Sequence, residues 1–185
     1  MPAMQALFNV TFVGMGNICR SPTAHGVFRH KVQSAGWAAW VHVDSAGTHG
    51  HHPGNPPDPR SQAHARARGY ELADLGARQL DKGDFELADL LLVMDGDNLS
   101  ASQQHCPPQH RHKLRRLTEF CRIHRSLDVP DPYYGGPRDF ELVLDLVEDA
   151  CEGLLAHVRL QLAISAEFAP RGGQSTREEA RVSPP

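Results

Sequence analysis

The sequence lacks three features that would each define a class of protein. No apolar run approaches the roughly 20 residues that a membrane-spanning helix needs, and the N-terminus has no basic flank of the kind found in signal peptides. The 19 Lys and Arg against 22 Asp and Glu give a formal charge of −3, which provides no general attraction to nucleic acid. These absences predict a cytoplasmic protein that binds neither membrane nor nucleic acid.

Cysteine is scarce, whereas histidine is abundant. The four cysteines, at positions 19, 106, 121 and 151, are too few for a disulfide scaffold and lack metal-type spacing. A reducing compartment is therefore expected, and no metal or cofactor is predicted. The 12 histidines gather at positions 49, 51 and 52 and at 105, 110 and 112. Proline and glycine around His51 and His52 argue against a rigid ligand face, so we interpret these side chains as solvated loop residues.

Apolar patterning predicts strands that alternate with helices. Strands are predicted at 7–13, 40–45, 90–94 and 113–120, and helices at 22–35, 61–68, 95–104 and 140–162. The alternation predicts an α/β fold, a three-layer sandwich with a central four-stranded parallel sheet flanked by helices. One domain is expected over residues 1–168. Residues 169–185 have no apolar periodicity, which predicts a disordered tail.

The segment between the first predicted strand and the first predicted helix has the composition of a phosphate-binding loop. It reads Val-Gly-Met-Gly-Asn-Ile-Cys-Arg-Ser-Pro from position 13 to position 22. Gly14 and Gly16 let the backbone approach an anion closely, and Asn17 tolerates a left-handed conformation. Arg20 can grip two phosphate oxygens, and Ser21 is predicted as the N-cap of a helix whose positive end faces the loop. A simple tight turn is the alternative for the glycines alone.

The ten-residue string resembles the V-C-x-G-N-I-C-R-S-P signature of low-molecular-weight protein tyrosine phosphatases, a family related to thioredoxin-coupled arsenate reductases. Every fixed position except the second matches. Further stretches agree in the right order at 44–48, 57–60, 93–95 and 131–134. The resemblance covers roughly residues 6–164. It implies the α/β fold described above, with the phosphate loop between the first strand and the first helix.

The resemblance also implies catalysis through a cysteinyl-phosphate. In the family the first loop cysteine attacks phosphorus, and the arginine that matches Arg20 stabilises the transition-state charge. The aspartate that matches Asp131 protonates the leaving phenolate and later activates water. The implied phosphate-binding residues are Met15, Gly16, Asn17, Ile18, Cys19, Arg20 and Ser21.

A substrate cleft is implied beside the loop. The tyrosines that match Tyr133 and Tyr134 wall a slot for an aryl phosphate, and His51 occupies a wall position. The alternative for the two tyrosines is that they are ordinary exposed loop aromatics. Two further positions depart from the family. His25 stands where relatives often carry glutamate, which we interpret as a neutral surface change, and Arg68 stands where many relatives have histidine.

The most consequential departure is at the nucleophile position, which Gly14 occupies six residues before Arg20. Cys19 would have to attack from the wrong side of the loop. The chain is therefore predicted to bind phosphate, sulfate, a phosphotyrosine protein or a small aryl phosphate with little or no turnover. Whether it is an enzyme stays open. The alternatives are a phosphotyrosine-binding or substrate-trapping module, and a relative of arsenate reductases, which rely on further reactive cysteines.

Overall fold

The computed structural model describes residues 8–168. Four parallel strands form one sheet in the order β2-β1-β3-β4. The strands are β1 (Phe8–Gly14), β2 (Val41–Gly47), β3 (Leu90–Val93) and β4 (Leu114–Arg116). The helices are α1 (Arg20–Ser34), α2 (Pro59–Ala67), α3 (Lys82–Leu87), α4 (Gly96–His105) and α5 (Pro137–Phe168). This confirms the predicted four-stranded α/β fold, whereas the tail predicted at 169–185 lies outside the described residues.

The sheet is buried on both faces, and its central strand β3 is apolar at every position. In β3, Leu90 and Leu92 join one core cluster, and Leu91 and Val93 join the other. This is the period-two alternation of a strand covered on both sides. Helices α1 and α5 pack on the first face, and Phe85 of α3 packs on the second.

The start of α1 differs from the prediction. The helix begins at Arg20 with Cys19 as its N-cap, and the cap makes no side-chain hydrogen bond. The assignment of Ser21 as N-cap is therefore wrong. The Ser21 hydroxyl instead accepts a hydrogen bond from Asn17 Nδ2 at 2.8 Å, which ties the loop to the first turn. Gly36, with φ of 79°, follows the helix end at the predicted place.

Two short elements were not predicted correctly. The fourth strand has only three residues and gives way to a 3₁₀ helix at Leu117–Phe120, which explains the weak alternation over 113–120. Helix α3 was missed because its six residues are too few to show a helical period. Its start is marked by a capping box between Asp81 and Asp84.

The last helix is long, with 32 residues, and one side of it is buried against α1 and the 3₁₀ helix at Leu117–Phe120. Its apolar positions recur at the spacing of an amphipathic helix, from Phe140 through Leu154 to Leu162. Across residues 8–168, no helix combines the length and the apolarity that crossing a bilayer demands.

Helix α5 approaches the 3₁₀ helix so closely that position 153 has no room for a side chain. A Cβ at Gly153 would lie 1.9 Å from the Phe120 carbonyl oxygen. Alanine ordinarily favours a helix over glycine by about 1 kcal/mol, but here the backbone would have to separate. We expect Gly153→Ala to lower the free energy of unfolding by about 1–3 kcal/mol in urea denaturation. At Gly136 a Cβ would meet nothing within 4 Å, so Gly136→Ala is the matched control. Equal stability of both variants would contradict the contact.

Candidate functional site

The loop of residues 14–20 lies at the carboxyl edge of the sheet, between β1 and α1. It encloses a cavity of about 30 Å³ that is lined by residues 14–21 and closed on one side by Asp131. Ligands of open parallel sheets bind outside the carboxyl ends of the strands. The structure thus brings the predicted loop residues and Asp131 together around one small cavity.

Asn17 gives the loop its shape. It is buried and has φ of 58°, the left-handed conformation predicted from the sequence. Its Oδ1 accepts a hydrogen bond from the Arg78 backbone N–H at 3.0 Å, and its Nδ2 donates to Ser21 Oγ at 2.8 Å. Both halves of the amide are therefore engaged, which stabilises a strained backbone position.

The loop after β2 supports the phosphate loop from the side. The backbone N–H groups of Thr48 and His49 donate to the carbonyls of Gly14 and Met15, each at 2.9 Å. A Cβ at Gly47 would lie 2.5 Å from the Met15 carbonyl oxygen. Glycine at 47 is thus what permits this close approach of two backbones.

The Arg20 guanidinium is held in position by protein groups. It is buried, and its Nη1 donates to Asp95 Oδ2 at 2.5 Å and to the Val129 carbonyl at 2.9 Å. Its Nη2 lies 3.9 Å from Asp131 Oδ2. Because these partners come from separate parts of the chain, the donor fork is oriented by the fold before any anion binds.

Asp131 lies on a short turn that is fixed to α2. Its Oδ1 accepts from the Tyr133 backbone N–H at 3.1 Å. Arg60 Nη2 donates to the Tyr133 carbonyl at 3.0 Å, and the same guanidinium pairs with Asp58 and stacks on Phe140 at 4.7 Å from the ring centroid. The carboxylate is therefore held close to the loop by contacts outside it.

Position 14 carries no side chain. A side chain built there would point toward Ser21. A Cβ there would lie 3.0 Å from Ser21 Oγ and 3.3 Å from Ser21 Cβ. The contact is tight, so Ser21 would have to shift by a few tenths of an ångström to admit a side chain at this position. A side chain at 14 would accordingly start beside the Ser21 hydroxyl.

Cys19 is the one cysteine in the loop of residues 14–20, and it is unsuited to nucleophilic attack. Its side chain is buried and contacts Ser61, and burial raises the pKa of the Cys19 thiol to about 11. A thiol with this pKa is protonated near neutral pH and is a poor nucleophile. All four cysteines of the chain are free.

The predicted cleft residues lie on two sides of the loop. Tyr133 and Tyr134 contact edge to face at 4.9 Å, but Tyr134 is 95% exposed and Tyr133 39%. His51 is exposed and stacks on His49 with 5.4 Å between ring centroids. Within residues 8–168, no group of three or more His, Cys, Asp or Glu side chains is arranged to hold a metal ion.

The structure adds supporting residues that the sequence did not reveal. Arg78 and Val129 are remote in sequence from the loop and carry no local pattern, whereas Arg60 lies in the stretch 57–60 that resembles the family. Asp95 could have been found, because it lies two residues after the end of β3 at the carboxyl edge of the sheet, within the stretch 93–95 that resembles the family. It also caps α4 by accepting from the Asn98 backbone N–H at 2.8 Å, so one carboxylate serves both the helix and Arg20.

The two departures away from the loop have structural roles. The interpretation of His25 as a surface change is wrong, because the side chain is buried and its Nδ1 lies 2.9 Å from Ser45 Oγ. Burial lowers the pKa of His25 to about 4. Arg68 pairs with Glu141, Asp145 and Glu148 of α5. It therefore links the end of α2 to the last helix.

The fold and the site together define an α/β protein with a parallel sheet and an arginine-bearing loop between its first strand and first helix. The family model described as "Low molecular weight phosphotyrosine protein phosphatase" matches residues 9–163. The chain belongs to this family. The low molecular weight protein-tyrosine-phosphatase of Streptomyces coelicolor is 44% identical over 158 residues, which is 84% of this chain and 96% of that protein.

Solved structures give the same result. A protein tyrosine phosphatase from Entamoeba histolytica, solved with Hepes in the active site, has a TM-score of 0.81 at 36% identity. The match covers 83% of this chain and 98% of the Entamoeba chain. Vibrio vulnificus Wzb in complex with benzylphosphonate has a TM-score of 0.72 at 25% identity. The match covers 82% of this chain and 99% of the Wzb chain.

The buried His25 makes stability depend on pH. The unfolded chain takes up a proton at His25 below its ordinary pKa of 6.5, whereas the folded protein does so only near 4. Its contribution to stability is therefore present above pH 6.5 and is lost as the pH falls toward 4. We expect His25→Gln to remove on the order of 2 kcal/mol of the stability lost between pH 7.5 and pH 5.0. Urea unfolding at both pH values measures this, with His112→Gln, at an exposed position, as the control. An unchanged pH dependence would contradict the assignment.

Proposed function

We propose that this chain binds phosphate monoesters, phosphotyrosine above all, in the loop of residues 14–20 and hydrolyses them little or not at all. The observation that carries the proposal is a loop whose backbone is held in place by Asn17 and its neighbours, with an oriented Arg20 and no thiol at position 14. The same donors suit inorganic phosphate or sulfate. The binding domain would span residues 1–168, and a cytoplasmic location stays a prediction.

Binding follows from donors that do not depend on residue 14. The loop backbone and the start of α1 supply N–H groups and a positive dipole end, and Arg20 supplies a buried fork. The carboxylates of Asp95 and Asp131 face the same guanidinium and reduce its attraction for a dianion. We therefore infer moderate affinity, with no thiolate on the loop floor to repel the ligand.

The loss of turnover follows from the missing nucleophile. Glycine at 14 offers no group to attack phosphorus, and the Cys19 thiol is protonated and buried. The Ser21 hydroxyl lies near the right place, but Asn17 donates to its oxygen. Removal of a covalent nucleophile commonly costs several orders of magnitude in rate.

Two other functions are weighed against these contacts. A substrate-trapping or phosphotyrosine-recognition module would use the same binding site, and the presence of Tyr133 and Tyr134 on the turn after Asp131 is consistent with it. An arsenate reductase is disfavoured, because that chemistry needs a relay of reactive thiols. Burial raises the pKa of the thiols of Cys106, Cys121 and Cys151, and none of the three lines the loop cavity.

Anion binding is the first test of the proposal. Calorimetry with inorganic phosphate and with phosphotyrosine should show binding that Arg20→Ala weakens by at least about tenfold, because a charge-assisted pair is lost. Arg159→Gln, at an exposed position of α5, is the charge-matched control. Thermal melts identify any variant that fails to fold. Binding that is equal in the parent and in a folded Arg20→Ala variant would contradict the site.

Gly14→Cys tests whether the missing side chain alone limits turnover. Arg20, Ser21 and Asp131 already surround the position, so we expect the variant to gain hydrolysis of an aryl phosphate by about 10³-fold or more over the parent. Gly14→Ser is the matched control, since it adds a side chain of similar size without a thiolate. A folded Gly14→Cys protein with no gain would disprove the proposal that residue 14 is limiting.

The role proposed for Asp131 is tested in the same background. Adding Asp131→Asn to Gly14→Cys should slow phosphotyrosine hydrolysis by about 10²- to 10⁴-fold. The loss should be much smaller for an ester whose leaving group is already acidic, because that phenolate hardly needs a proton. Equal losses for both esters would show that Asp131 positions its turn and does not donate a proton.

A further inference from the structure

Three imidazoles on the loop after β2 form a row that leads away from the phosphate loop. We call His49, His51 and His52 the histidine row. The Cδ2 of His52 lies 3.2 Å from the place that a Cβ at Gly16 would take. His51 meets His52 edge to face at 6.4 Å and stacks on His49 at 5.4 Å with an interplanar angle of 15°. The row therefore begins against the phosphate loop and ends at His49.

The far end of the row opens into a cleft of about 450 Å³. This volume falls within the range of small-ligand sites, roughly 300–1,000 Å³. The polar wall is formed by His49, Gln79, Lys82, Gln104 and His105, and the side chain of Phe85 contributes to an apolar floor. The family-type chemistry of the phosphate loop uses none of these side chains.

The cleft and the phosphate loop share a wall. The N–H groups of Thr48 and His49, which line the cleft, donate to the carbonyls of Gly14 and Met15 at 2.9 Å each. Gln79 is bridged to Gly47 at the end of β2. A ligand that occupies both the cleft and the phosphate loop would therefore bind two sites whose separation is fixed by this shared wall.

The cleft is lined by one cation, Lys82, and one carboxylate, Asp81, so an anionic group would be held there by Lys82 and by neutral hydrogen-bond donors. Within residues 8–168, the Lys82 ammonium has no carboxylate partner. Asp81 also faces the cleft, but its Oδ1 accepts from the Asp84 backbone N–H at 3.2 Å as the cap of α3. His49 and His105 each carry at least one ring N–H in either protonation state, and the two glutamine amides add further donors. One ring nitrogen of His49, Nδ1, is already within 3.0 Å of the Thr48 hydroxyl oxygen.

We propose that the cleft is a subsite for acidic residues that flank the phosphotyrosine of a peptide, which reach it along the histidine row. The inference rests on the proposed function, since the phosphate loop must hold the phosphoryl group. Carboxylate side chains fit because they only accept hydrogen bonds, and Lys82, His105 and the two glutamine amides offer donors to them. An adjoining acidic segment would extend the ligand contact beyond the 30 Å³ cavity of the loop.

Calorimetry on the full chain tests the subsite with four ligands. They are free phosphotyrosine, a phosphotyrosine peptide with alanine on both sides, and two peptides with paired glutamates on the N-terminal or on the C-terminal side. One of the two acidic peptides should bind roughly 5- to 20-fold more tightly than the alanine peptide, as expected for one or two charge-assisted hydrogen bonds. Lys82→Gln and His49→Ala should each bring that ratio toward one.

Exposed residues elsewhere supply matched controls. Arg159→Gln and His112→Ala, both at exposed positions, should keep the ratio of the parent. Equal affinity for all three peptides, or a ratio that survives Lys82→Gln and His49→Ala together, would overturn the subsite while binding of free phosphotyrosine still supports the proposed function. No binding of free phosphotyrosine or of any peptide would overturn both.

Discussion

The contact between Arg20 and Asp95 holds the site together. At 2.5 Å it joins the loop after β1 to the end of β3, and the same guanidinium donates to the Val129 carbonyl before the turn that bears Asp131. Three loops at the carboxyl edge of the sheet thus meet at one cation. A buried arginine needs such partners, because an unpaired charge in the interior is costly. The parallel sheet brings these loops together by placing the ends of neighbouring strands at one edge.

The sequence predicted the parts of this arrangement that are local. Short apolar runs bounded by turn residues indicated the strands, and the loop string between β1 and α1 indicated an anion site with Asn17 in a left-handed conformation. The four-stranded sheet and the family followed from the same residues. Helix α3, with six residues, and the shortness of β4, with three, were missed, because so few residues show no recognisable helical or strand periodicity.

What the sequence did not predict depends on tertiary contacts. Ser21 has the chemistry of an N-cap, yet Asn17 uses its hydroxyl. His25 was interpreted as a neutral surface change, yet the fold buries it against Ser45. Arg78 donates its backbone N–H to Asn17 and its side chain to Asp44 and Asp84, a combination that no spacing along the chain encodes. Such residues are found only when the packing is known.

The structure also explains how position 14 can lack a side chain while the loop keeps its form. The loop is shaped by the Asn17 amide, by backbone bonds from Thr48 and His49, and by the anchored Arg20. None of these contacts involves a side chain at 14. Under the proposed function, binding and chemistry are separable in this fold, since the anion donors would belong to the loop backbone and to Arg20, whereas covalent attack would belong to one side chain. A chain that keeps the first set without the second retains the means to hold a phosphate but not the group that would form the phosphoenzyme.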